Sequence, residues 1–73
     1  MRIPSREVIE NLRSSFRRGT RVRLDEMDDR HAPPVGTEGT VLCVDDIGSI
    51  HVEWDNGNML AVVFGKDSCS ITN

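Results

Sequence analysis

Residues 49–64 read SIHVEWDNGNMLAVVF, two apolar-rich runs joined at Asn56-Gly57. Ile50, Val52 and Trp54 recur at every second position, with His51 and Glu53 between them, which is the period of a strand with one buried face. Asn-Gly is the strongest short-range hairpin signal, because a two-residue type I′ turn needs positive φ at both central positions. Met59 to Phe64 is therefore expected to pair back against Ser49 to Trp54. A lone hairpin is barely stable in water, so more strands are expected beside it.

They are found on both sides. Thr37 to Val44 (TEGTVLCV) reads as a strand leading into the hairpin through Asp45-Asp46-Ile47-Gly48. Gly39 marks either a bulge or a close backbone approach, and Cys43 is expected as a small buried thiol in an apolar run. Arg21 to Met27 alternates again, Val22 and Leu24 against Arg21, Arg23 and Asp25. Between these strands lies DDRHAPPVG, where Pro33 and Pro34 exclude helix and central strand, so a long ordered loop is expected. Past the hairpin, Gly65-Lys66-Asp67 is a turn into a fifth short strand, Cys69 to Thr72.

Upstream the period lengthens to that of a helix over residues 5–17. Ser5 is the expected N-cap, Glu7 places an acid in the first turn, and Val8, Ile9, Leu12 and Phe16 form one apolar stripe. Arg13, Arg17 and Arg18 crowd its C-terminal end, and Gly19 is the expected stop. A helix this short is marginal alone, so its stripe is expected to dock. The chain of 73 residues is one domain, 1–73: a helix over 5–17, then a barrel over 20–72. The expected fold is mostly β, a small, partly open, SH3-like antiparallel barrel of about five short strands preceded by one α-helix.

The segments PSREVIENLR, GTRVRL, MDDRHAPPVGTEGTV, VDDIGSIHVEWDNG and GKDSC, in this order and spacing, resemble the bacterial and phage-borne family of domain of unknown function 4314. The resemblance runs from about Pro4 to Cys69. It implies a helix before an SH3-type barrel and a setting in bacteria, phages and other mobile elements; it implies no activity.

Composition narrows the function. The longest apolar run, Met59 to Phe64, is far below the roughly 20 residues that span a bilayer, and charges occupy MRIPSREVIE where a signal peptide would be apolar. A cytoplasmic protein without a membrane role is expected, with reduced thiols. The net charge of -3 conceals a division. Met1 to Arg23 carries seven arginines against Glu7 and Glu10, a net of +5, while residues 24–73 carry Arg30 and Lys66 against ten acids, a net of -8. Phosphate is repelled by such a barrel, and three aromatics without a single Tyr offer neither a base-stacking platform nor a proline-peptide groove. Trp54 is expected in the core. The arginines are expected to face acids of this chain or of a second copy.

Chemistry-bearing clusters are thin. Acids gather at Asp25-Glu26 with Asp28-Asp29 and at Asp45-Asp46, but lack the glycine and distal glutamate of a calcium loop, so turn capping is expected. His31, Cys43, His51 and Cys69 are separated by gaps of 12, 8 and 18, unlike the close pairs of structural zinc sites. No spacing sets a histidine beside a thiol with an orienting third group. The expectation is therefore a non-enzymatic module with no catalytic residue, metal or cofactor, binding a protein or itself. The expected contact surface is the loop Asp28 to Val35, with Asp28, Asp29, Arg30 and His31, together with Asp45 and Asp46 of the hairpin. The alternative is a nucleic-acid accessory protein that uses Arg13, Arg17, Arg18, Arg21 and Arg23.

Overall fold

Ser49–Trp54 is the second strand from one edge of a five-stranded antiparallel sheet, in a computed structural model that describes residues 3–72. Arg2, counted above among the arginines, lies outside the described residues, as do Met1 and Asn73. In chain order the elements are α1 (Arg6–Ser15), β1 (Arg21–Glu26), β2 (Glu38–Val44), β3 (Ser49–Trp54), β4 (Val62–Val63) and β5 (Ser68–Ile71). The sheet runs β4-β3-β2-β1-β5 and stays open between β4 and β5.

One face of the sheet makes the core. Val22, Leu24, Val41, Val44, Ile50, Val52, Trp54 and Val62 are buried together, with Leu12 of α1, Phe16 just past its end, Met27 and Cys69 packed against them. Full burial of a valine or leucine contributes roughly 1.5–3 kcal/mol relative to exposure. Trp54 is 1% exposed, a core residue, and its indole Nε1–H donates to the Leu60 carbonyl at 2.9 Å.

α1 docks on its own sheet. The Ser5 hydroxyl caps it, accepting from the Val8 N–H at 3.2 Å, and Arg13 of the last turn donates from Nε to the Val44 carbonyl at 3.1 Å. The helix ends two residues earlier than expected. Phe16 leaves the helical region, with φ of -110° and ψ of 65°, as its side chain turns onto the core. Gly19 is not the helix stop: its N–H donates to the Val41 carbonyl at 2.8 Å and draws the chain onto β2.

The hairpin departs from expectation at its turn and its return. Asn56 does not have positive φ; among the described residues only glycines do, and Gly57 is at +90°. The Gly57 N–H donates to the Trp54 carbonyl and the Trp54 N–H to the Asn58 carbonyl, each at 2.9 Å. This is a three-residue loop, a tight turn followed by a left-handed glycine, rather than a type I′ turn. The expected strand Met59 to Phe64 pairs only at Val62 and Val63, opposite Ile50 and Ser49. Residues 59–61 leave the ladder because side chains take their backbone groups: the Leu60 carbonyl accepts from Trp54, and the Leu60 N–H donates to Asn58 Oδ1 at 2.8 Å.

β2 carries the bulge, between Val41 and Cys43, not at Gly39. Gly39 is the close approach instead: a Cβ there would lie 2.6 Å from Val52 Cγ1 and 2.8 Å from Trp54 Cε3. The bulge adds one residue to the alternation, so Val41 and Val44 both point inward and Cys43 is exposed rather than buried.

Candidate functional site

β2 separates the two halves of the expected contact surface. Its seven residues carry the Asp28 to Val35 loop at one end and the Asp45 to Gly48 turn at the other, about 20 Å apart at strand rise, so the two do not form one patch. At the loop end, Asp29 Oδ1 accepts from the His31 N–H at 2.7 Å, and the His31 carbonyl accepts from Asn58 Nδ2 at 2.7 Å. Asp28 and Arg30 are exposed, with no ion pair among the described residues.

At the turn end the carboxylates are structural. Asp45 Oδ1 accepts from the backbone N–H groups of Ile47 and Ser49 at 3.1 and 2.9 Å, and Asp45 Oδ2 lies 2.9 Å from His51 Nε2. Partial burial works against the Asp45 charge, but the hydrogen bonds from His51, Ser49 and Ile47 outweigh it and hold the carboxyl below its usual range. Asp46 accepts from Arg13 at 2.7 Å and so fastens α1 to the turn.

Most of the candidate basic surface is likewise engaged. Arg21 forks onto both carboxylate oxygens of Asp55 at 2.9 and 2.6 Å, with Thr40 and Glu38 beside it. That hydrogen bonding holds the Asp55 carboxyl below its usual range. Arg23 lies 3.6 Å from Asp25. Arg17 and Arg18 alone of the five have no side-chain hydrogen bond or ion pair among the described residues, and they line an open groove with Phe16, Leu42 and Cys43.

Cys43 and His51 are register partners across β2 and β3, and Asp45 orients the histidine. Sequence spacing gave no hint of this juxtaposition, because it depends on the bulge and on a four-residue turn. No hydrogen bond joins the thiol to the imidazole among the described residues. His31 and Cys69 lie elsewhere, and no group of three His, Cys, Asp and Glu side chains among the described residues is placed to hold a metal ion. Burial, and secondarily Asp25, push the Cys69 thiol up to about 11, where it is a packing group rather than a nucleophile.

The partly open sheet was expected; the feature that sequence reasoning missed is the groove at its seam. Leu12 of α1, Phe16, Ile50 of β3, Val62 of β4, Phe64, Asp67, and Ser68 and Cys69 of β5 line a groove of about 230 Å³. At its rim Pro4, Leu12 and Phe64 converge on Gly48, where an added Cβ would lie 2.9 Å from Pro4 and 3.6 Å from each of the other two. Phe64 and Ile47 are 47% and 42% exposed. The sequence signal for this site is the apolar run Met59 to Phe64, which continues one residue past the end of β4.

No helix among the described residues is long and apolar enough to cross a membrane. Residues 5–72 match the family described as domain of unknown function (DUF4314). No curated protein and no solved structure matches the chain.

Proposed function

The chain belongs to the DUF4314 family, and from its surface we propose that it is a non-enzymatic interaction module that binds a protein partner at the seam groove. The observation that carries this reading is the groove itself: partly buried Leu12 and Phe16 over the buried Ile50 and Val62 at the open side of the sheet, beside a half-exposed Phe64. Concave apolar surface of this kind is where partner side chains anchor. We read the open sheet as an SH3-like barrel whose aromatic groove is absent, since Trp54 is spent in the core. A cytoplasmic, bacterial or phage setting, as the resemblance implies, belongs to the same proposal.

Peptides selected by display against the folded domain test it. They are expected to compete with one another, and Phe64→Glu is expected to weaken them about tenfold or more without lowering the melting temperature. Selection that yields no binder, or binders indifferent to Phe64→Glu, overturns the reading.

The nucleic-acid reading rests on Arg17 and Arg18, because Arg13, Arg21 and Arg23 are paired with Asp46, Asp55 and Asp25 of the same chain. It calls for DNA or RNA binding at about 50 mM salt that weakens steeply as salt rises and disappears in the double variant Arg17→Glu, Arg18→Glu. Fluorescence anisotropy with labelled single and double strands decides it.

A further inference from the structure

Asp67 stands at the groove with half of its carboxylate unused. Its Oδ2 accepts from the Val63 N–H at 3.0 Å, and its own N–H donates to the Val63 carbonyl at 2.9 Å, so the side chain is clamped against β4. Oδ1 is buried and accepts no hydrogen bond among the described residues. A buried acceptor left in that state is unfavourable and favours any donor that reaches it.

Acids of β1 flank the groove, and Lys66 stands beside it in the turn. On β1, Asp25 is close enough to act electrostatically on groove-lining Cys69, and Glu26 is the register partner of groove-lining Ser68. On the helix side Arg13 is turned away onto Asp46 and the Val44 carbonyl, and Arg17 lines the other groove. Lys66, next in the turn, is exposed and makes no ion pair with Asp67. An apolar floor with an acidic flank fits a cation on an aliphatic stem.

We propose, building on the protein-binding reading above, that the seam groove receives a lysine side chain of the partner, its methylenes on Leu12, Phe16 and Val62 and its ammonium on Asp67 Oδ1. Lysine is favoured over arginine by the acceptor count. A guanidinium fork is best met by both oxygens of a carboxylate, and Oδ2 is already committed to Val63; a compact ammonium pairs as a point charge with one oxygen, its other N–H groups turned to the open groove. Oδ1 is closed to bulk water, so the ammonium reaches it only from the groove, which Asp67 itself lines.

Amide NMR titrations with n-butylammonium, n-butanol and n-butylguanidinium test the anchor on the intact chain. Butylammonium is expected to shift Val63, Asp67 and Cys69 saturably and to bind about tenfold more tightly than butanol, with butylguanidinium weaker than butylammonium. In Asp67→Asn the amide oxygen keeps the Val63 bond while the NH₂ group turns to the groove, so the ammonium preference is expected to vanish and butanol to bind as before. Equal binding of butylammonium and butanol to the natural chain overturns the lysine anchor even if the variant does not fold, and so does a preference that survives Asp67→Asn. Neither result touches the protein-binding reading, which stands or falls on the Phe64→Glu peptide experiment.

Discussion

Gly39 and Gly57 are glycine for different reasons, and the difference can be measured. A side chain at Gly39 would run into Val52, Trp54 and the Glu53 carbonyl at 2.6, 2.8 and 2.9 Å, whereas nothing lies within 4 Å of one at Gly57, where only the positive φ of +90° resists it. Gly39→Ala is overpacking against a rigid core and is expected to cost about 1–3 kcal/mol. Gly57→Ala meets backbone strain alone, about 1–2 kcal/mol, and Gly57→Asn less, because asparagine tolerates the left-handed region. Urea denaturation of the three variants checks this, with Gly57→Asn as the mildest; an equally mild Gly39→Ala would contradict the packing described here. The two thiols divide in a similar way. Cys43 is exposed while Cys69 is packed on the core with its ionisation pushed up to about 11, so brief iodoacetamide treatment at about pH 8 is expected to label Cys43 alone in the native protein and both in denaturant, as read by mass spectrometry. This assignment was not legible in the sequence, where TVLCV alternates smoothly; a single bulged residue, which no side-chain pattern announces, reverses the facing of Cys43.

At the scale of elements, legibility followed how local the deciding interaction was. α1 was readable from its cap to its stripe because Ser5, Ile9 and Leu12 act within the helix or along one face of it. Its last turn was not, because Phe16 answers to the core and Gly19 to Val41. The return of the hairpin was misread for the same reason: Trp54 and Asn58 take the backbone groups of Leu60 that a ladder would have used, which a period-two pattern does not reveal. The helix is held by Leu12 and Phe16 on the core and by Arg13 on the turn, so it is a docked part of the fold. Leu12→Asp is expected to destabilise the domain by about 2–4 kcal/mol, through lost burial and a charge set against apolar neighbours, while Ser5→Ala removes only the cap, about 1 kcal/mol. Thermal melts followed by circular dichroism rank the two; a Leu12→Asp melt equal to that of the natural chain would mean that the helix is free of the sheet.

Across the whole molecule, the charge division seen in the sequence turns out to be folded back on itself. Arg13, Arg21 and Arg23 of the basic segment meet Asp46, Asp55 and Asp25 of the acidic one. The signs of the two segments were legible; the pairing needed the sheet order, and the seam groove needed the knowledge that β4 and β5 do not join. Ionisable groups that the fold holds away from their usual values make stability depend on pH at both ends of the scale. Asp45 and Asp55 have carboxyls held below the usual range, so their contribution is present above the unfolded value near 4 and is lost as pH falls through the folded one. Cys69 works in the opposite direction. Its folded thiol ionises at about 11, and the unfolded thiol at roughly 8.5, so its neutral form favours the fold fully below the lower value and that contribution is lost as pH climbs toward the upper. Urea midpoints taken across pH are therefore expected to fall on an acid limb below about pH 4 and on an alkaline limb that begins near pH 8.5. Cys69→Ala lowers the whole curve by a small cavity term and removes the alkaline limb's onset, and Asp45→Asn shortens the acid limb while leaving the alkaline one intact. An alkaline onset that persists unchanged in Cys69→Ala would show that the thiol is not the group being titrated.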